Sequence, residues 1–350
     1  MAHPQLQNDT PFSVEILFLS DERGVPLCVP VVKATFSIGL GGKLNLAEKQ
    51  LSVNPAGEPR GDPAVSSYKY EPETAFFKPA TDVVMIGHAW ASPLPATEVM
   101  VGIAVGPVHK LVKVAGDRIM YRKAGLLTTT PPRPFETIPL VYERAFGGWD
   151  RRDPDPSRHS FEPRNPVGTG YASKSLRSGD ELKLPNIEDP AHAFVNAEDR
   201  PPPAGLGFTS SNWQPRASFA GTYDQRWDKE RKPLLPSDFN RVFFNAASTG
   251  LVAPGYLQGN ESVVVVGAAA EGRVAFRLPG VPPPSCSVEL SRGKHVRLDT
   301  KLDTVIVNMD ERLLILTWRT HLPLRNGPHD IVSLGLMTQL LGCDQRVRGS

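Results

Sequence analysis

Proline and glycine constrain this chain more than any other feature of its sequence. It holds 35 prolines and 30 glycines among 350 residues, whereas average usage of the two together is about 12%. Proline removes a backbone donor and disrupts helices, and glycine weakens helices through its backbone entropy. We therefore expect a fold that is rich in loops and poor in helix. Hydrophobic residues make up 40% of the chain, enough to fill a core.

Two parts of the sequence predict β-strands. Short runs rich in Val and Ile, separated by Gly and Pro, are typical of antiparallel meanders in a sandwich or barrel. The first set is FSVEILFLS (12–20), PVVKATFSI (30–38), DVVMIGHAWA (82–91), EVMVGIAVG (98–106), HKLVKVAG (109–116) and DRIMYRK (117–123). The second set is ESVVVVGAAA (261–270), RVAFRLPG (273–280), SCSVELS (285–291), KHVRLDT (294–300), DTVIVNMD (303–310) and RLLILTWR (312–319), the last two forming a hairpin.

Few helices are expected, and both predicted ones are short. One is SDFNRVFFNAA (237–247), with Ser237 or Asp238 as its N-cap, and the other is HDIVSLGLMTQLLG (329–342). Between the strand sets, residues 129–241 lack periodicity, yet aromatic residues recur throughout. Disordered segments are poor in aromatics. We therefore expect an irregular region that is ordered and held in place by packed aromatic side chains.

The predicted fold class is therefore mainly β. It has two antiparallel β-meander, sandwich-like halves, a long ordered loop-rich middle region and few short helices. The corresponding segments are an N-terminal β half (1–128), a proline- and aromatic-rich irregular region (129–245) and a C-terminal β half (246–350). The three segments stand as separate units or pack as one.

Charge and cysteine content narrow the class of protein. The chain has 39 basic and 37 acidic residues, a net charge of +2, so no basic field predicts direct binding to nucleic acid. Cys28, Cys286 and Cys343 are few and far apart, which fits a reducing compartment better than a disulfide framework. No secretory signal and no apolar run of roughly 18 residues is visible. The sequence predicts a cytoplasmic protein without a membrane partner.

Two short motifs resemble ligand sites without matching one. GTGYASKS (168–175) differs from a phosphate loop because Ser173 replaces the second glycine, and a proline shortly before it argues against the required strand. Asp150, Asp153 and Asp155 offer oxygen ligands, but their spacing is not that of an EF-hand and neighbouring arginines would compete with a cation. We predict no cofactor and no metal.

No catalytic motif is recognisable in the chain. The eight histidines do not cluster, no cysteine pair has zinc spacing, and neither a G-x-S-x-G elbow nor a Cys/His signature occurs. Paired carboxylates cannot be recognised from sequence, because the fold sets their separation. A catalytic site therefore has no positive support, and we predict no catalytic residue.

The stretch ERAFGGWDRRDP (143–154) is the clearest local signature. Gly147 and Gly148 permit positive φ, Trp149 is expected to anchor the turn in apolar surroundings, and Asp150 is expected to cap nearby amides. Similar turns follow along the middle region. Tyr, Trp and Arg are common at binding hot spots, so we interpret the whole as a recognition surface. The predicted partner-binding or loop-anchoring residues are Gly147, Gly148, Trp149, Asp150, Asn165, Trp213, Arg216, Tyr223, Asp224, Trp227, Phe243 and Asn245.

These motifs, taken in order, resemble a bacterial family long described only as a domain of unknown function, whose genes accompany type VI secretion clusters. The resemblance extends from about Pro11 to Leu324. It rests on YERAFGGWD, NPVGTGY, LPNIEDP, GFTSSNWQPR, AGTYDQRWDKERKPLLPSDFNRVFFNAA, GNESVVVVG and LDTVIVNMDERLLILTWR.

The resemblance implies a non-catalytic effector adaptor or chaperone in the bacterial cytoplasm. Such a protein binds a secreted effector, a toxin, and promotes its loading onto the spike, the VgrG trimer or its PAAR tip. Two alternatives stay open. One is a hydrolase-type enzyme whose Asp150, Asp224 and histidines converge in a cleft of the middle region. The other is a structural component of the secretion apparatus.

Overall fold

The computed structural model describes residues 5–291 and 293–338. Strands make up 40% of these residues and helices 8%, which confirms the mainly β prediction. The strands of the first part are β1 (Gln5–Asp9), β2 (Ser13–Ser20), β3 (Pro26–Ile38), β4 (Leu44–Leu46), β5 (Glu58–Pro59), β6 (Tyr68–Tyr70), β7 (Asp82–Ile86), β8 (His88–Trp90), β9 (Glu98–Val105), β10 (Val108–Ala115), β11 (Ile119–Lys123) and β12 (Leu126–Thr129).

The middle region contains only short strands, whereas the last part returns to longer ones. The middle strands are β13 (Thr137–Pro139), β14 (Phe146–Gly147), β15 (Trp149–Asp150), β16 (Ser160–Phe161), β17 (Thr169–Gly170), β18 (Glu181–Lys183) and β19 (Ile187–Glu188). The last strands are β20 (Ser262–Val266), β21 (Arg273–Arg277), β22 (Ser285–Leu290), β23 (His295–Asp299), β24 (Lys301–Asn308), β25 (Leu313–Arg319), β26 (Leu322–Pro323) and β27 (Ile331–Met337).

Helical structure is limited to segments of three to six residues in the part of the chain that the structure describes. The one α-helix is α1 (Gln225–Glu230), and none of the helices there is long and apolar enough to span a membrane. The 3-10 helices are Leu40–Gly42, Tyr142–Arg144, Pro156–Arg158, Arg216–Ala220, Arg241–Phe244 and Gly327–Asp330.

Strands from the beginning and the end of the chain share the large sheets. The largest sheet has the order β2-β3-β25-β24-β7, with β4 and β26 also paired to β3. A five-stranded sheet has the order β19-β10-β9-β20-β21, and a four-stranded sheet the order β1-β27-β22-β23. Most neighbouring pairs are antiparallel, and they include the predicted β24–β25 hairpin. The N- and C-terminal segments therefore bury one interleaved core, while the three segment boundaries stay a prediction.

The core lies between these sheets, where Val, Ile and Leu side chains of several strands pack together. Val32 of β3, Val84 of β7, Val263 of β20 and Leu316 of β25 belong to one cluster and have no exposed surface or almost none. Strand β3 is buried along nearly its whole length, which is typical of a central strand covered on both faces.

Both helix predictions are wrong in extent or type. Within 237–247 only the 3-10 turn Arg241–Phe244 forms, and Asn240, not Ser237 or Asp238, caps it. The second prediction fell on β27 (Ile331–Met337), which pairs with β1 on one side and β22 on the other. Hydrogen bonding to two neighbouring strands outweighs the weak helical pattern there. Residues 339–342 of that prediction lie outside the described residues.

Candidate functional site

The twelve predicted residues separate into two groups along the chain. We call Gly147, Gly148, Trp149, Asp150 and Asn165 the turn cluster, and the seven residues from Trp213 to Asn245 the loop cluster. The groups approach each other at Tyr142. The side-chain amide of Asn165 donates to the Tyr142 carbonyl (2.8 Å), and the Tyr142 ring meets the Trp213 ring edge-on, with centroids 5.2 Å apart.

Two glycines allow the chain to fold tightly at the turn cluster. Gly147 and Gly148 have φ of 150° and 91°, values that L side chains rarely adopt. A Cβ on Gly147 would run into the carbonyl oxygen of Asn165, and a Cβ on Gly148 into that of Gly168. The turn therefore requires glycine at both positions, as the sequence predicts, for its conformation and for the close approach of a second backbone segment.

Asn165 and Asp150 hold this turn through buried hydrogen bonds. Asn165 has no exposed surface, and its amide also donates to the Phe146 carbonyl (3.0 Å). The Asp150 carboxylate accepts a bidentate pair of bonds from Arg152 (2.8 and 2.9 Å) and two more from the Ser173 amide and hydroxyl (2.8 and 2.6 Å). Asp150 thus caps nearby amides, as predicted.

The electrostatics of Asp150 follow from these contacts. The Arg152 guanidinium, followed by the two Ser173 donors, holds the pKa of the Asp150 carboxyl well below its usual range, against the opposing effect of burial. Asp150 is therefore ionised at neutral pH with its oxygens occupied by donors. Within 5–291 and 293–338, no group of three His, Cys, Asp or Glu side chains could hold a metal ion.

Trp149 corrects the sequence prediction, because it does not anchor the turn in an apolar interior. It is 45% exposed, and Phe146 is the buried ring instead, at 1%. The Trp149 ring stacks on Phe161 across the β15–β16 pair, with centroids 4.6 Å apart, and the Arg151 guanidinium lies 5.0 Å from the Trp149 ring centroid. Phe161 is itself 41% exposed. We call Trp149, Arg151 and Phe161 the aromatic platform.

Trp213 and Arg216 of the loop cluster are buried and structural. Arg216 forms an ion pair with Glu71 (2.6 Å) and donates to the carbonyls of Thr209 (2.7 Å) and Phe243 (2.8 Å). Burial raises the pKa of the Glu71 carboxyl, and the nearby Arg216 charge opposes that rise. The Arg216 guanidinium also lies 5.1 Å from the half-buried Phe243 ring. These contacts tie the 3-10 turns of the loop cluster to one another.

Asn245 fastens the loop cluster to the largest sheet. Its side-chain amide donates to the Ala80 carbonyl (2.8 Å) and to the Asp82 carboxylate (2.9 Å). The other Asp82 oxygen accepts from the Ala246 amide (3.0 Å) and from the Lys78 ammonium (2.8 Å), which also donates to Thr304. A buried ionic network therefore joins the middle region, β7 and β24.

Tyr223, Asp224 and Trp227 form the exposed end of the loop cluster. Asp224 caps α1, because its carboxylate accepts from the Trp227 amide (2.8 Å). The Trp227 ring meets the Tyr223 ring edge-on at 4.7 Å and donates its indole N–H to the Leu234 carbonyl (2.8 Å). Tyr223 is 54% exposed and Trp227 is half-buried, so a partner can reach both rings.

Sequence reasoning missed two members of the aromatic platform, Arg151 and Phe161. Phe161 lies opposite Trp149 in a two-residue antiparallel pair, which is too short to give a periodic signal. The sequence feature that indicates Phe161 is its position as an aromatic residue within the polar run SRHSFEPR. A run this polar does not predict a buried strand, so its aromatic side chain is expected at the surface. An N-cap rule applied to Asp224-Gln225-Arg226-Trp227 would also have located α1.

The comparisons with known proteins agree with the bacterial origin implied by the motifs. A family model described as an uncharacterized protein conserved in bacteria, DUF2169, matches residues 23–319. Neither a curated protein nor a solved structure matches the chain. The matched range holds the turn cluster, the loop cluster and most strands of the large sheets. The chain therefore belongs to the DUF2169 family of uncharacterized bacterial proteins.

Proposed function

We propose that this protein is a non-catalytic adaptor of the bacterial cytoplasm, which binds a type VI secretion effector and promotes its loading onto the VgrG/PAAR spike. The observation that carries the proposal is the aromatic platform. Trp149 and Phe161 are 45% and 41% exposed and stack on each other, with Arg151 beside the Trp149 ring. Trp and Arg are the residue types enriched at binding hot spots.

The platform is suited to binding because its backbone is held in place before a partner arrives. Asp150 and Asn165 are buried and hydrogen-bonded directly beside it, and the glycines of the turn admit no side chain. A rigid aromatic side chain loses little conformational freedom on binding, so more of its burial appears as affinity. The stacked Trp149 and Phe161 rings are therefore available for a partner to cover.

A second aromatic pair extends the proposed surface. Tyr223 and Trp227 are accessible at α1, next to Lys232, whose ammonium lies 6.0 Å from the Trp227 ring centroid. The pair is fixed by the Asp224 cap and by the indole bond to Leu234. Apolar surface of each exposed pair that a partner buries contributes roughly 25 cal/mol per Å² to the binding free energy, before the entropic cost of association.

Two structural features favour binding over the hydrolase alternative. Asp150 is occupied by Arg152 and Ser173, and Asp224 by the first turn of α1. The two carboxylates that such an enzyme would use therefore have structural partners of their own. The alternative of a structural component of the secretion apparatus predicts a stable homo-oligomer that assembles without an effector.

Co-purification with any toxin that a neighbouring gene encodes tests the proposal. We expect the tagged wild-type protein to retain the toxin and Trp149→Ala to lose most of it. Leu126→Ala is the matched control, because Leu126 is 73% exposed but lies in the β11–β12 hairpin, outside the platform. If neither wild type nor any variant retains the toxin, the adaptor proposal is wrong. If all three proteins retain the toxin equally, the aromatic platform is not the surface that binds the toxin.

A further inference from the structure

Strand β2 forms one edge of the largest sheet and, in the part of the chain that the structure describes, has no neighbouring strand on its outer side. It stands first in the order β2-β3-β25-β24-β7 and pairs with β3. The opposite edge is closed by backbone, because the amides of Val83 and Met85 in β7 donate to the carbonyls of Leu251 (2.9 Å) and Leu206 (2.8 Å). The two edges of this sheet therefore differ, and β2 is the open one.

A proline in β3 shows which backbone groups of β2 face outward. The Pro30 carbonyl accepts a hydrogen bond from the Thr320 amide (3.3 Å), on the side of β3 away from β2. Ile16 lies opposite Pro30 in the antiparallel β2–β3 pair. Hydrogen-bonded and non-hydrogen-bonded pairs alternate along such a ladder, so Ile16, Val14 and Phe18 direct their N–H and C=O groups away from β3. Among the described residues, these outward groups have no hydrogen-bond partner.

The side chains of the same three residues line an apolar groove beside this edge. Alternate residues of a strand share one face, and the groove has a volume of about 200 Å³. Apolar side chains of β1 and β27 also line it, namely Leu6, Ile331 and Leu334. Phe18 is 38% exposed and Leu6 is 44% exposed. A long apolar edge of this kind is a template on which a further strand can pair.

Packing on the other face holds β2 in place. Leu17 and Leu19 pack against a buried cluster that contains Leu27 and Phe76. The pairing of β2 with β3 runs without interruption along the whole of β2. The edge is therefore preformed, and a strand that joins it does not have to be preceded by a rearrangement of the sheet.

Glu15 indicates which kind of strand fits this edge. It is the one charged residue of β2, it is exposed, and it forms no ion pair within residues 5–291 and 293–338. A second copy of β2, SVEILFLS, contains no basic residue that could pair with it. A foreign strand with Lys or Arg opposite Glu15 gains a cross-strand ion pair. Charge complementarity therefore favours a strand from a different protein over a second copy of this chain.

We propose that the outer edge of β2 binds an extended segment of a partner protein, which adds to the largest sheet as a further strand. The N–H and C=O groups of the segment pair with those of Val14, Ile16 and Phe18, the mode of recognition known as strand addition. Apolar side chains at alternate positions of the segment enter the groove, and a Lys or Arg on its other face meets Glu15. This surface shares no residue with the aromatic platform, so the inference goes beyond the proposed function.

Titration of a fluorescent peptide with the full-length protein, followed by anisotropy, tests the proposal. The probe is Thr-Val-Lys-Val-Lys-Val-Thr with blocked termini, whose valines suit the groove and whose lysines suit Glu15. The matched probe has Glu in place of both lysines. We expect wild type to bind the lysine probe at least about threefold more tightly than the glutamate probe. Glu15→Lys should reverse this order, and an exposed position makes that variant safe for folding.

Ile16→Pro closes the edge without breaking the sheet. Because the Ile16 N–H points away from β3, its loss leaves the β2–β3 hydrogen bonds intact, and proline is tolerated at such positions of edge strands. We expect this variant to melt close to wild type and to bind the lysine probe at least about tenfold more weakly. Leu17→Pro is the control for the backbone geometry. Its N–H faces β3, so that variant should have a clearly lower melting temperature.

Three outcomes would overturn the proposal. The first is that the lysine probe fails to bind wild type at concentrations up to about 1 mM. The second is that Ile16→Pro binds it as tightly as wild type does or, where that variant does not fold, that Glu15→Lys leaves the order of the two probes unchanged. The third is a wild-type dimer in sedimentation equilibrium that Glu15→Lys or Ile16→Pro dissociates, which would assign the edge to a second copy. None of these measurements involves the toxin, so the adaptor proposal is tested separately.

Discussion

Asn245 donates its side-chain amide to the carboxylate of Asp82 at 2.9 Å, although the two residues are 163 positions apart. The same carboxylate neutralises the buried ammonium of Lys78 at 2.8 Å. One acidic side chain in β7 thus holds the irregular middle region against the largest sheet. The loops that carry the exposed aromatic residues are positioned by this contact and by similar ones.

Removing that acidic side chain should destabilise the protein strongly. Asp82→Ala leaves the Lys78 ammonium buried without its counterion, which costs about 3–5 kcal/mol of unfolding free energy. Asp228→Ala is the control, because Asp228 and Lys232 form an exposed pair at 3.0 Å whose loss costs less than about 1 kcal/mol. Urea unfolding followed by tryptophan fluorescence measures both. If both variants lose the same free energy of unfolding, the buried network around Asp82 does not contribute more to stability than an exposed ion pair.

The turn cluster predicts a difference between two glycines that have nearly the same φ. Gly148 and Gly179 have φ of 91° and 92°, so alanine at either site costs about 1–2 kcal/mol in backbone strain. A Cβ at Gly148 also runs into the Gly168 carbonyl oxygen, whereas nothing lies within 4 Å of one at Gly179. Gly148→Ala should therefore lose a further 1–3 kcal/mol or so. Thermal unfolding of the two variants compares them, and similar melting temperatures would refute the close approach.

Truncation of two tryptophans should change the free energy of unfolding by very different amounts. Trp213 is 2% exposed and packs on Tyr142, so Trp213→Ala should lose about 3–5 kcal/mol of stability. Trp149 is 45% exposed, so Trp149→Ala should change stability by no more than about 1 kcal/mol. Chemical denaturation of both variants provides the measurement. A large loss for Trp149→Ala would mean that this ring serves the fold and not a partner.

The contribution of Asp150 to the free energy of unfolding should depend on pH. Because Arg152, followed by Ser173, lowers the pKa of Asp150 in the folded protein, its contribution is present above the unfolded pKa of about 3.9 and is lost as pH falls below it. Asp150→Asn should be less stable than wild type by about 1–3 kcal/mol at pH 7. The difference should shrink at pH 3 and below. Denaturant titrations at pH 7 and pH 3 measure it, and a difference independent of pH would contradict this role.

The strands were predictable because their signal is local. Val-rich runs bounded by Gly and Pro identified β9, β10 and β24 within a residue or two, whereas the run for β20 extended four residues beyond the end of the strand. Strand β27 was missed because its structure depends on hydrogen bonds to β1 and β22, which lie far away in sequence. Short apolar runs do not by themselves distinguish a strand from a helix.

The site was predictable in its residues but only partly in their roles. The glycines of the turn and the capping by Asp150 follow from the residue types themselves. The exposure of the Trp149 side chain does not follow from its residue type. Gly147 and Gly148 have positive φ at this turn, and Phe146 lies inside while Trp149 lies outside. The partners of Asn165 and Asn245 are set by tertiary packing over long sequence separations, which no local pattern encodes.

The affinity of the aromatic platform for the effector tests the central claim most directly. Calorimetric titration of the purified toxin into wild type, Trp149→Ala and the control Leu126→Ala gives three dissociation constants. The proposal predicts that Trp149→Ala weakens binding at least about tenfold, as expected for a hot-spot residue, while Leu126→Ala binds like wild type. A toxin that binds wild type and Trp149→Ala with the same affinity would contradict it.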